Sequence, residues 1–501
     1  MAWKNLRSLT RVSLSTGLLT VALASCGGET SKTEVPPAVL GNGKSVILIS
    51  IDSLRADFTT PYGHTPIFAP DEETTPFMAK LAKEGVLFEH TSAAAPWTLP
   101  SHVSMLSGMN PVEHGIRSRK YAIHEDIDLV SNVFQNAGYK TGGFFTAPFL
   151  HPSWGFGRGF DTYIPSADYL GTIEAGAALA AHGKSELVEE IHATSHTDNR
   201  TGEQAIDRAV RWLEHDKNYE KPFFLFVHLW DPHYDYFPPE EYRKQFLPND
   251  DGSVKGDELM RKDREPTAEE LKILMALYEA EIRYTDDQVK RLYEQLEAWG
   301  LADDVVFAIV SDHGDEFMEH GNRGHHLTLK EEVMNVPMIV HAPGLIDGAQ
   351  RVQASVSITD ISPTLIDLAG LPAWTDRTGQ SLRPLWENED LDREVAMDLL
   401  RPTKGIQLLG YRFGMNKGIL NVTQSKVRVF DLEADPGELL PPKPFPMSSD
   451  NPFVVATIDF HTRMLEFRHD VEKVNETPAM TAVLSEVGYA EDGSDDEEDE
   501  K

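Results

Sequence analysis

Uninterrupted apolar runs of strand length alternate with amphipathic segments along the middle of the chain. The runs occupy residues 46–51, 223–229, 305–310 and 336–340. Runs without polar alternation are typical of parallel strands that are buried on both faces of a sheet. Helical periodicity marks residues 76–85 and the long segment 268–296. Strands that alternate with helices in this way predict an α/β fold built on a doubly wound sheet.

This alternation weakens after about residue 375. Only short segments follow, at 405–415 and 426–432, and these favour a small antiparallel arrangement. We therefore expect a catalytic domain at 44–374 and a smaller C-terminal α+β subdomain at 375–475. Residues 476–501 are rich in acids that repel one another, which predicts a disordered, solubilising tail.

The first 25 residues have the pattern of an export signal. Three basic residues precede an apolar run at 12–24: Lys4, Arg7 and Arg11. The run is too short for a typical membrane span and ends in L-A-S-C-G, which resembles the lipobox of bacterial lipoproteins. That resemblance implies a lipid on Cys26, a tether at 26–43 and a location on the periplasmic or cell-surface face of a membrane. An uncleaved anchor helix at 1–25 is the alternative.

Charge and cysteine content exclude several classes of partner and site. The 501 residues contain 46 Lys and Arg against 80 Asp and Glu, a net charge of −34. So large an acidic excess argues against a nucleic-acid partner, because phosphate backbones are bound by clustered basic side chains. One cysteine, Cys26, excludes an intrachain disulfide, a multi-thiolate zinc site and an iron–sulfur cluster. Any metal in this chain is therefore expected to have oxygen and imidazole ligands.

Potential metal ligands come directly after three of the apolar runs. They are Asp52, Asp231, His233, Asp312 and His313. Ligands of open α/β sheets bind beyond the carboxyl ends of the strands, so these side chains are expected to converge. Helix capping explains a single aspartate in such a place, but three strand ends of this kind favour a divalent metal that offsets buried charge. Mixed Asp and His ligands favour zinc or manganese, with calcium as the alternative.

These ligands belong to a longer series of motifs that resembles the sulfatase family of the alkaline-phosphatase superfamily. Asp52 matches the first metal aspartate of that family. The other matches follow in family order up to about residue 440: Thr75-Pro76, E-G-V-L-F at 84–88, Ser107-Gly108, His114-Gly115, G-Y-K-T at 138–141, D-H-G at 312–314, D-I-S-P-T at 360–364, G-Q-S-L at 379–382 and F-D-L-E-A-D-P-G-E at 430–438. The resemblance implies a mixed sheet of the alkaline-phosphatase and sulfatase type, and metal-dependent hydrolysis of esters.

The chain departs from that family at the nucleophile. Sulfatases carry Cys or Ser in a C/S-x-P-S-R motif and oxidise it to formylglycine, whereas this chain has Thr98, with His102 in place of the arginine. The F-T-A-P-F-L segment at 145–150 stands where the family has G-K-W-H-L-G, with its sulfate-binding lysine and histidine. The T-x-P-x-H core resembles instead nucleotide pyrophosphatase/phosphodiesterases, in which a metal-bound threonine attacks phosphorus. This resemblance implies that Thr98 is the nucleophile.

The predicted roles divide the ligands between one or two divalent ions. Asp52, Asp312 and His313 are expected to hold one ion that also binds the Thr98 hydroxyl and activates it. A second ion would lie between three further ligands: Asp231, His233 and His325. If only one ion binds, His233 and His325 donate hydrogen bonds to the ester oxygens. Either of these two histidines is the candidate general acid.

Several side chains near these motifs have two interpretations. Arg55 and His102 are predicted to contact the substrate, while Arg55 could equally orient Asp52 or form a surface ion pair. Thr98 could simply cap a helix that begins at Pro100. Asp235 is an alternative ligand to His233, and His228 is interpreted as a core residue. An aromatic group following the 223–229 run is either a substrate wall or a hydrophobic cluster: Trp230, Tyr234, Tyr236 and Phe237.

The sequence thus predicts a sulfatase-family hydrolase of phosphoric or sulfuric esters that works through a covalent intermediate on Thr98. A phosphodiester is the favoured substrate, carried by a small molecule, a glycan or a lipid. The alternatives are a sulfatase without formylglycine, an envelope phospho-group transferase and an inactive binding module. Retention of Asp52, Thr98, Asp312 and His313 argues against the last of these.

Overall fold

The computed structural model describes residues 42–166, 201–260, 264–387, 393–401 and 404–474. The predicted export signal, Cys26, most of the tether and the acidic tail lie outside these residues. In the described part of the chain, no helix is both long enough and apolar enough to cross a membrane.

A nine-stranded mixed sheet forms the centre of the fold. Its strands are β1 (Ser45–Ile51), β2 (Val86–Ser92), β4 (Lys140–Phe145), β5 (Thr162–Pro165), β6 (Phe223–Leu229), β7 (Val305–Ser311), β10 (Asn335–Val336), β11 (Met338–His341) and β12 (Gln350–Ser357). Their order is β10-β2-β11-β7-β1-β6-β4-β5, with β12 also paired to β2. The contiguous strands β7, β1, β6, β4 and β5 are parallel, and β11 joins β7 and β2 in antiparallel fashion. The predicted doubly wound mixed sheet is confirmed.

Twelve α-helices are present in the described residues. They are α1 (Pro76–Glu84), α2 (Thr98–Ser107), α3 (Pro111–His114), α4 (Val130–Asn136), α5 (Thr201–Glu214), α6 (Glu240–Phe246), α7 (Gly256–Met260), α8 (Ala268–Ala298), α9 (Glu331–Met334), α10 (Ile361–Leu368), α11 (Arg383–Glu387) and α12 (Pro452–Leu465). Short 3-10 helices lie at Ala56–Phe58, Thr60–Tyr62, Pro148–Leu150, Pro152–Trp154, His215–Glu220, Ala302–Asp304 and Ile358–Asp360. The two helices predicted from periodicity correspond to α1 and α8.

The two faces of the sheet are buried in separate cores, which explains the uninterrupted apolar runs. Along β1, Val46 and Leu48 pack into one core with helices α2, α4 and α10. Ile47 and Ile49 point to the opposite face, where α1, α5 and α8 pack. Because successive strand residues alternate between faces, a strand covered on both sides must be apolar throughout.

The apolar run at 336–340 differs from the expected parallel strand. Pro337 divides it into β10 and β11, and both pair antiparallel to β2. Proline has no backbone N–H to donate to a strand ladder, so the pairing is interrupted at this residue.

A separate five-stranded antiparallel sheet follows the central sheet. It contains β13 (Glu394–Arg401), β14 (Ile406–Phe413), β15 (Asn416–Asn421), β16 (Lys426–Asp431) and β17 (Lys443–Pro446), in that order. Helix α12 packs on it through Phe460 and Met464, which contact Tyr411 and Ala396. This is the α+β subdomain expected near the C-terminus. Two small pairs complete the fold: β3 (Tyr121–Ala122) with β18 (Glu472–Lys473), and β8 (Glu316–Phe317) with β9 (Arg323–Gly324).

Candidate active site

The carboxyl ends of β1 and β7 bring two predicted metal ligands together. The two strands are hydrogen-bonded neighbours, so Asp52 and Asp312, which follow them directly, emerge side by side. The turn after β1 is tied to the end of β7, because the Ser53 N–H donates to Asp312 Oδ1 (3.1 Å) and the Leu54 N–H to Ser311 Oγ (3.0 Å). The position of each carboxylate therefore depends on the backbone of the adjacent strand end.

Asp52, Asp312 and His313 form a buried group whose potential ligand atoms all lie within 4.8 Å of one another. All three side chains are 0% exposed. His313 Nε2 lies 3.3 Å from Asp312 Oδ2 and 3.7 Å from Asp52 Oδ1. The structure thus brings together three of the residues that the strand ends indicate as ligands of the first ion.

Thr98 faces this group from the first turn of α2. The helix begins at Thr98 rather than at Pro100, and the Thr98 hydroxyl does not cap it, since the N-cap residue is Trp97. Thr98 Oγ1 lies 3.5 Å from His313 Nε2. Ser101 Oγ donates to the Asp312 carbonyl oxygen (2.6 Å), which fixes the start of the helix against the end of β7. The capping interpretation of Thr98 is therefore wrong.

Three neighbouring histidines, which include His313 beside Thr98, share one hydrogen-bonding pattern. Each donates its Nδ1–H to a protein oxygen: His313 to the Gly314 carbonyl (3.2 Å), His233 to the Tyr234 carbonyl (2.7 Å) and His325 to Asp315 Oδ1 (2.6 Å). The His325 ring centroid lies 4.2 Å from that of His313 and 5.1 Å from that of His233. An Nδ1–H that is fixed in this way makes Nε2 the nitrogen with the lone pair.

Asp315 is a site residue that the sequence reasoning missed. With His313 and His325 it forms a second buried group whose potential ligand atoms lie within 4.8 Å of one another. Tyr236 donates its hydroxyl to Asp315 Oδ2 (2.5 Å). Burial alone would raise the pKa of Asp315, but the neighbouring His325 lowers it below its ordinary value. Its position three residues after Asp312, in the same strand-end loop, was the available signal.

The charges in this site call for a cation. Burial raises the pKa of Asp52, and burial together with the adjacent Asp52 raises that of Asp312. Burial also lowers the pKa of His313 well below its ordinary value and that of His233 to about 4, so both rings are neutral near pH 7. The lone pair on His313 Nε2 therefore faces two carboxyl groups, an arrangement that a bound proton or a metal cation between them relieves.

Unpartnered buried atoms support the same conclusion. Asp312 Oδ2 and His233 Nε2 are both buried and make no hydrogen bond within the described part of the chain. Buried polar atoms in folded proteins nearly always have a partner, and carboxylate oxygen with imidazole nitrogen is a donor set suited to zinc or manganese. The residues present therefore fit a divalent metal ion.

The predicted second set of metal ligands includes Asp231, but in the structure its carboxylate has other partners. Its carboxylate accepts from the Thr201 hydroxyl (2.5 Å) and from the Gly202 N–H (2.9 Å), at the start of α5. It therefore satisfies a helix N-terminus, and the groups that could hold an ion in the described residues do not include it. His233 and His325 do adjoin the site, while the alternative ligand Asp235 is solvent-exposed.

Arg55 and His102 do not occupy the substrate-contacting positions expected for them. Arg55 is buried and forms ion pairs with Asp57 (2.7 Å) and Glu319 (2.6 Å). His102 is fully buried behind Thr98, where Nδ1 donates to the Thr98 carbonyl (2.9 Å) and Nε2 lies 2.8 Å from Ser50 Oγ. Both side chains therefore support the loops and the helix around the site from within the protein.

The expected aromatic wall is divided between two environments. Trp230 and Tyr234 are half-buried and lie against the histidines, with ring centroids 3.9 Å from His233 and 5.4 Å from His325, respectively. Tyr236 is buried beneath Asp315, and Phe237 is 38% exposed. Only the first two side chains are therefore placed to contact a ligand of these histidines.

Comparison with known proteins identifies relatives along most of the chain. A family model described as Sulfatase matches residues 44–371. A sulfatase of Formosa agariphila is 24% identical over 470 residues, covering 84% of this chain and 86% of the relative. A choline-sulfatase of Rhizobium meliloti is 23% identical over 437 residues, covering 79% and 81%. The crystal structure of a phosphonate monoester hydrolase of Agrobacterium radiobacter shares the fold, with a TM-score of 0.63, 19% identity and coverage of 85% and 95%.

Proposed function

Because this chain belongs to the sulfatase family of metal-dependent ester hydrolases, we propose that it hydrolyses esters by attack of the Thr98 hydroxyl, with a phosphodiester as the preferred substrate. The observation that carries this proposal is the position of Thr98 Oγ1, 3.5 Å from His313 Nε2 and at the edge of the Asp52, Asp312 and His313 group. Thr98 is buried and does not cap its helix, and its hydroxyl is directed instead to His313 Nε2.

Asp52, Asp312, His313 and Thr98 are the proposed ligands of one divalent ion. His313, Asp315 and His325 are the proposed ligands of a second ion, with His313 between the two groups. When bound, such an ion lowers the pKa of a coordinated hydroxyl and offsets negative charge on a tetrahedral oxyanion. If one ion alone binds, His233 and His325 can donate hydrogen bonds to the ester oxygens only in the form that is also protonated at Nε2, which a bound anionic ester favours.

The proposed reaction has two displacement steps. Thr98 Oγ loses its proton to solvent and forms a bond to phosphorus or sulfur while the bond to the leaving alcohol breaks. If the second ion is absent, His325 in the form protonated on both nitrogens, held by Asp315, gives its Nε2 proton to the departing oxygen and regains one from solvent. A water molecule then attacks the phosphorus or sulfur of the threonine ester, which restores the Thr98 hydroxyl and releases the acid product. Hydrogen-bond donors aimed at the equatorial oxygens provide electrostatic stabilisation in both steps.

The charge of the site supports a singly charged ester. Within the described residues, the basic side chains in ion-pair distance of Asp52 and Asp312 are histidines, namely His102, His228 and His313, and not a lysine or an arginine. A phosphodiester, a phosphonate monoester and a sulfate ester each carry one negative charge, whereas a phosphate monoester carries nearly two. The related phosphonate monoester hydrolase and choline-sulfatase act on members of the first group by name.

A sulfate ester is the second candidate because the named relatives include sulfatases. A threonine cannot be converted to formylglycine by the oxidation that cysteine or serine undergoes, so this activity would need direct attack by Thr98. The phosphodiester is preferred because the T-x-P-x-H core resembles phosphodiesterases that use a threonine.

The proposed location is the periplasmic or cell-surface face of a membrane, with a lipid on Cys26. This part of the proposal rests on the sequence of residues 1–26. The substrate would then be an ester on a small molecule, a glycan or a lipid at that surface.

A comparison of three substrates tests the chemistry. Metal-loaded wild-type protein and Thr98→Ala are assayed with an aryl phosphodiester, an aryl sulfate and an aryl phosphate monoester. We expect the diester to react fastest and the variant to lose at least about 100-fold in kcat, since it lacks the nucleophile. A sulfate preference would favour the second candidate. Equal rates for wild type and Thr98→Ala would reject Thr98 as the nucleophile.

A further inference from the structure

His228 lies inside β6, where the sequence indicated a core residue, yet it reaches the metal-binding group. Its register partner in β1 is Ser50, two residues before Asp52. The ring is fully buried, and its Nε2 lies 3.2 Å from Asp52 Oδ2. The neighbouring strand thus places an imidazole beside the carboxylate oxygen that points away from His313.

Thr146, directly after β4, determines which nitrogen of His228 carries the proton. The Thr146 N–H donates to His228 Nδ1 (3.4 Å), and Thr146 Oγ1 lies 3.0 Å from the same nitrogen. The Thr146 hydroxyl also donates to the His228 carbonyl (3.0 Å). Since Nδ1 accepts from the Thr146 N–H and an ionised Asp52 can only accept, the proton of the neutral ring is on Nε2, which donates to Asp52 Oδ2.

The two oxygens of Asp52 consequently have different partners. Oδ2 accepts from His228, whereas Oδ1 accepts from the Ser53 hydroxyl (3.1 Å) and lies on the His313 side of the carboxylate. A carboxylate that is bonded at one oxygen cannot rotate freely about its last side-chain bond. Its second oxygen is then held toward the position where the proposed ion would bind.

The segment that carries Thr146 also differs from the family pattern. The sequence F-T-A-P-F-L at 145–150 stands where sulfatases have G-K-W-H-L-G, so Thr146 occupies the position of the sulfate-binding lysine. In this chain Thr146 forms hydrogen bonds with His228 and carries no positive charge. Hydrogen bonds through Thr146 and His228 therefore connect the end of β4 to the Asp52 carboxylate.

We propose that His228, oriented by Thr146, is a positioning residue that holds Asp52 in its metal-binding orientation. This inference rests on the proposed function, since it needs Asp52 to be a metal ligand. It assigns to this chain a three-residue path from the end of β4 to the metal: Thr146, His228 and Asp52. Such partners of ligating side chains typically change metal affinity about 10- to 100-fold when they are removed.

A matched pair of amide substitutions tests the proposal. The His228→Gln amide places its nitrogen near the position of Nε2, so it can still donate to Asp52, whereas the shorter His228→Asn cannot. Metal-free proteins are titrated with Zn²⁺ and with Mn²⁺ in competition with a chelator of known affinity. We expect His228→Asn to bind about 10- to 100-fold more weakly than wild type. We expect His228→Gln to stay within about threefold of wild type, because the donor is retained.

His461→Asn is the control for loss of a buried imidazole. His461 is 3% exposed and donates through Nε2 to the Gly410 carbonyl (2.9 Å) on the C-terminal sheet. We expect this substitution to lower the thermal stability of the metal-free protein without changing metal affinity. A purely structural role for His228 would give the same result in His228→Asn, with reduced stability and wild-type metal affinity, and would overturn the proposal.

Thr146→Val covers the case in which His228→Asn does not fold. It keeps the volume and the backbone N–H but removes the hydroxyl next to Nδ1, so we expect a smaller weakening of metal binding in the same direction. Unchanged affinity in folded Thr146→Val would overturn the orienting role of Thr146. If wild-type protein binds neither metal, the proposed function fails; if wild type and His228→Asn bind equally, only this inference fails.

Discussion

A carboxylate that follows a strand can bind a metal ion, or it can accept hydrogen bonds from the start of a helix. Asp231 does the second. It comes two residues after the end of β6, but it accepts hydrogen bonds from the Thr201 hydroxyl and the Gly202 N–H. The first backbone N–H groups of a helix lack partners within the helix and favour a nearby acceptor. Burial nevertheless raises the pKa of Asp231 to about 6, because the ionised form is poorly solvated there.

Asp231→Asn should preserve metal binding and remove one source of pH dependence. The asparagine carbonyl oxygen can accept both hydrogen bonds, and it carries no charge. A group whose pKa is higher in the folded state, here about 6 against 3.8, makes the folded protein less stable as pH rises between these values. We therefore expect the variant to lose less stability than wild type between pH 4 and pH 6, as measured by urea unfolding.

Metal analysis of the same two proteins separates the two roles of Asp231. The number of bound ions per chain should be identical in wild type and Asp231→Asn. Loss of one ion equivalent in the variant would restore the original expectation that Asp231 is a ligand.

A residue of the candidate site could be predicted from the sequence where its signal lies next to it in the chain. It could not be predicted where its role depends on a distant segment. Asp52, Asp312 and His313 each follow an apolar strand directly, so adjacency of the strands was enough to bring them together. Asp231 gives the same signal, and what distinguishes it is the distant start of α5. His228 lies inside an apolar run, and its contact with Asp52 depends on the register between β1 and β6, which a single chain pattern does not contain.

At the level of elements, a buried ion-pair network joins the C-terminal sheet to α9, the helix that follows the loop of His325. Glu331 in α9 accepts from Lys417 Nζ of β15 (2.7 Å) and from Arg412 Nη1 of β14 (3.0 Å). Its backbone N–H donates to Glu438 Oε2 (2.8 Å). Lys417 is 0% exposed, so its charge depends on these acids for compensation.

Glu331→Gln should destabilise the protein by about 3–5 kcal/mol, because it leaves buried cations with too little opposing charge. Burial alone would raise the pKa of Glu331, but Lys417 and Arg412 lower it to about 2. A lowered pKa stabilises the folded state above about pH 4.5, and this contribution disappears as pH falls toward 2. The difference between variant and wild type, measured by urea unfolding, should therefore shrink on acidification.

An exposed ion pair provides the matched control for this substitution. Glu240 pairs with Lys244 (2.9 Å) on the surface of α6, with both side chains largely exposed. Glu240→Gln should change stability by about 0–1 kcal/mol at every pH, as exposed pairs do. Equal effects of the two substitutions would show that the buried network does not hold α9 to the sheet.

The strands that could be predicted from the sequence are those that are buried on both faces. The strands with both faces covered were found from their apolar runs, as β1, β6 and β7 were, because burial itself determines their composition. The sequence did not predict the antiparallel direction of the strand at 336–340, because parallel and antiparallel strands that are covered on both faces have the same apolar composition. β11 lies antiparallel to both of its neighbours, β7 and β2. Residues 312–337 between β7 and β11 are enough for a connection of either direction, so the length of this connection does not decide the pairing.

The net charge of the whole molecule repels the anionic substrates that are proposed for it. The net charge of −34 repels an anionic ester at a distance, and the basic side chains beside Asp52 and Asp312 in the described residues are histidines. Such a field reduces the encounter rate of like-charged ligands, and dissolved salt screens it over about 10 Å at 0.1 M. Local metal chemistry would then have to overcome a long-range electrostatic barrier.

Raising the KCl concentration from 50 to 500 mM should therefore increase kcat/KM for an aryl phosphodiester by about two- to fivefold, while kcat stays constant. A phosphate monoester, with nearly twice the charge, should show a larger relative increase from a lower starting value. Steady-state rates with metal-saturated protein measure both effects, and potassium acetate in place of KCl shows whether chloride itself interferes. A fall in kcat/KM with salt would contradict this expectation, because it would require a positive field that attracts the substrate.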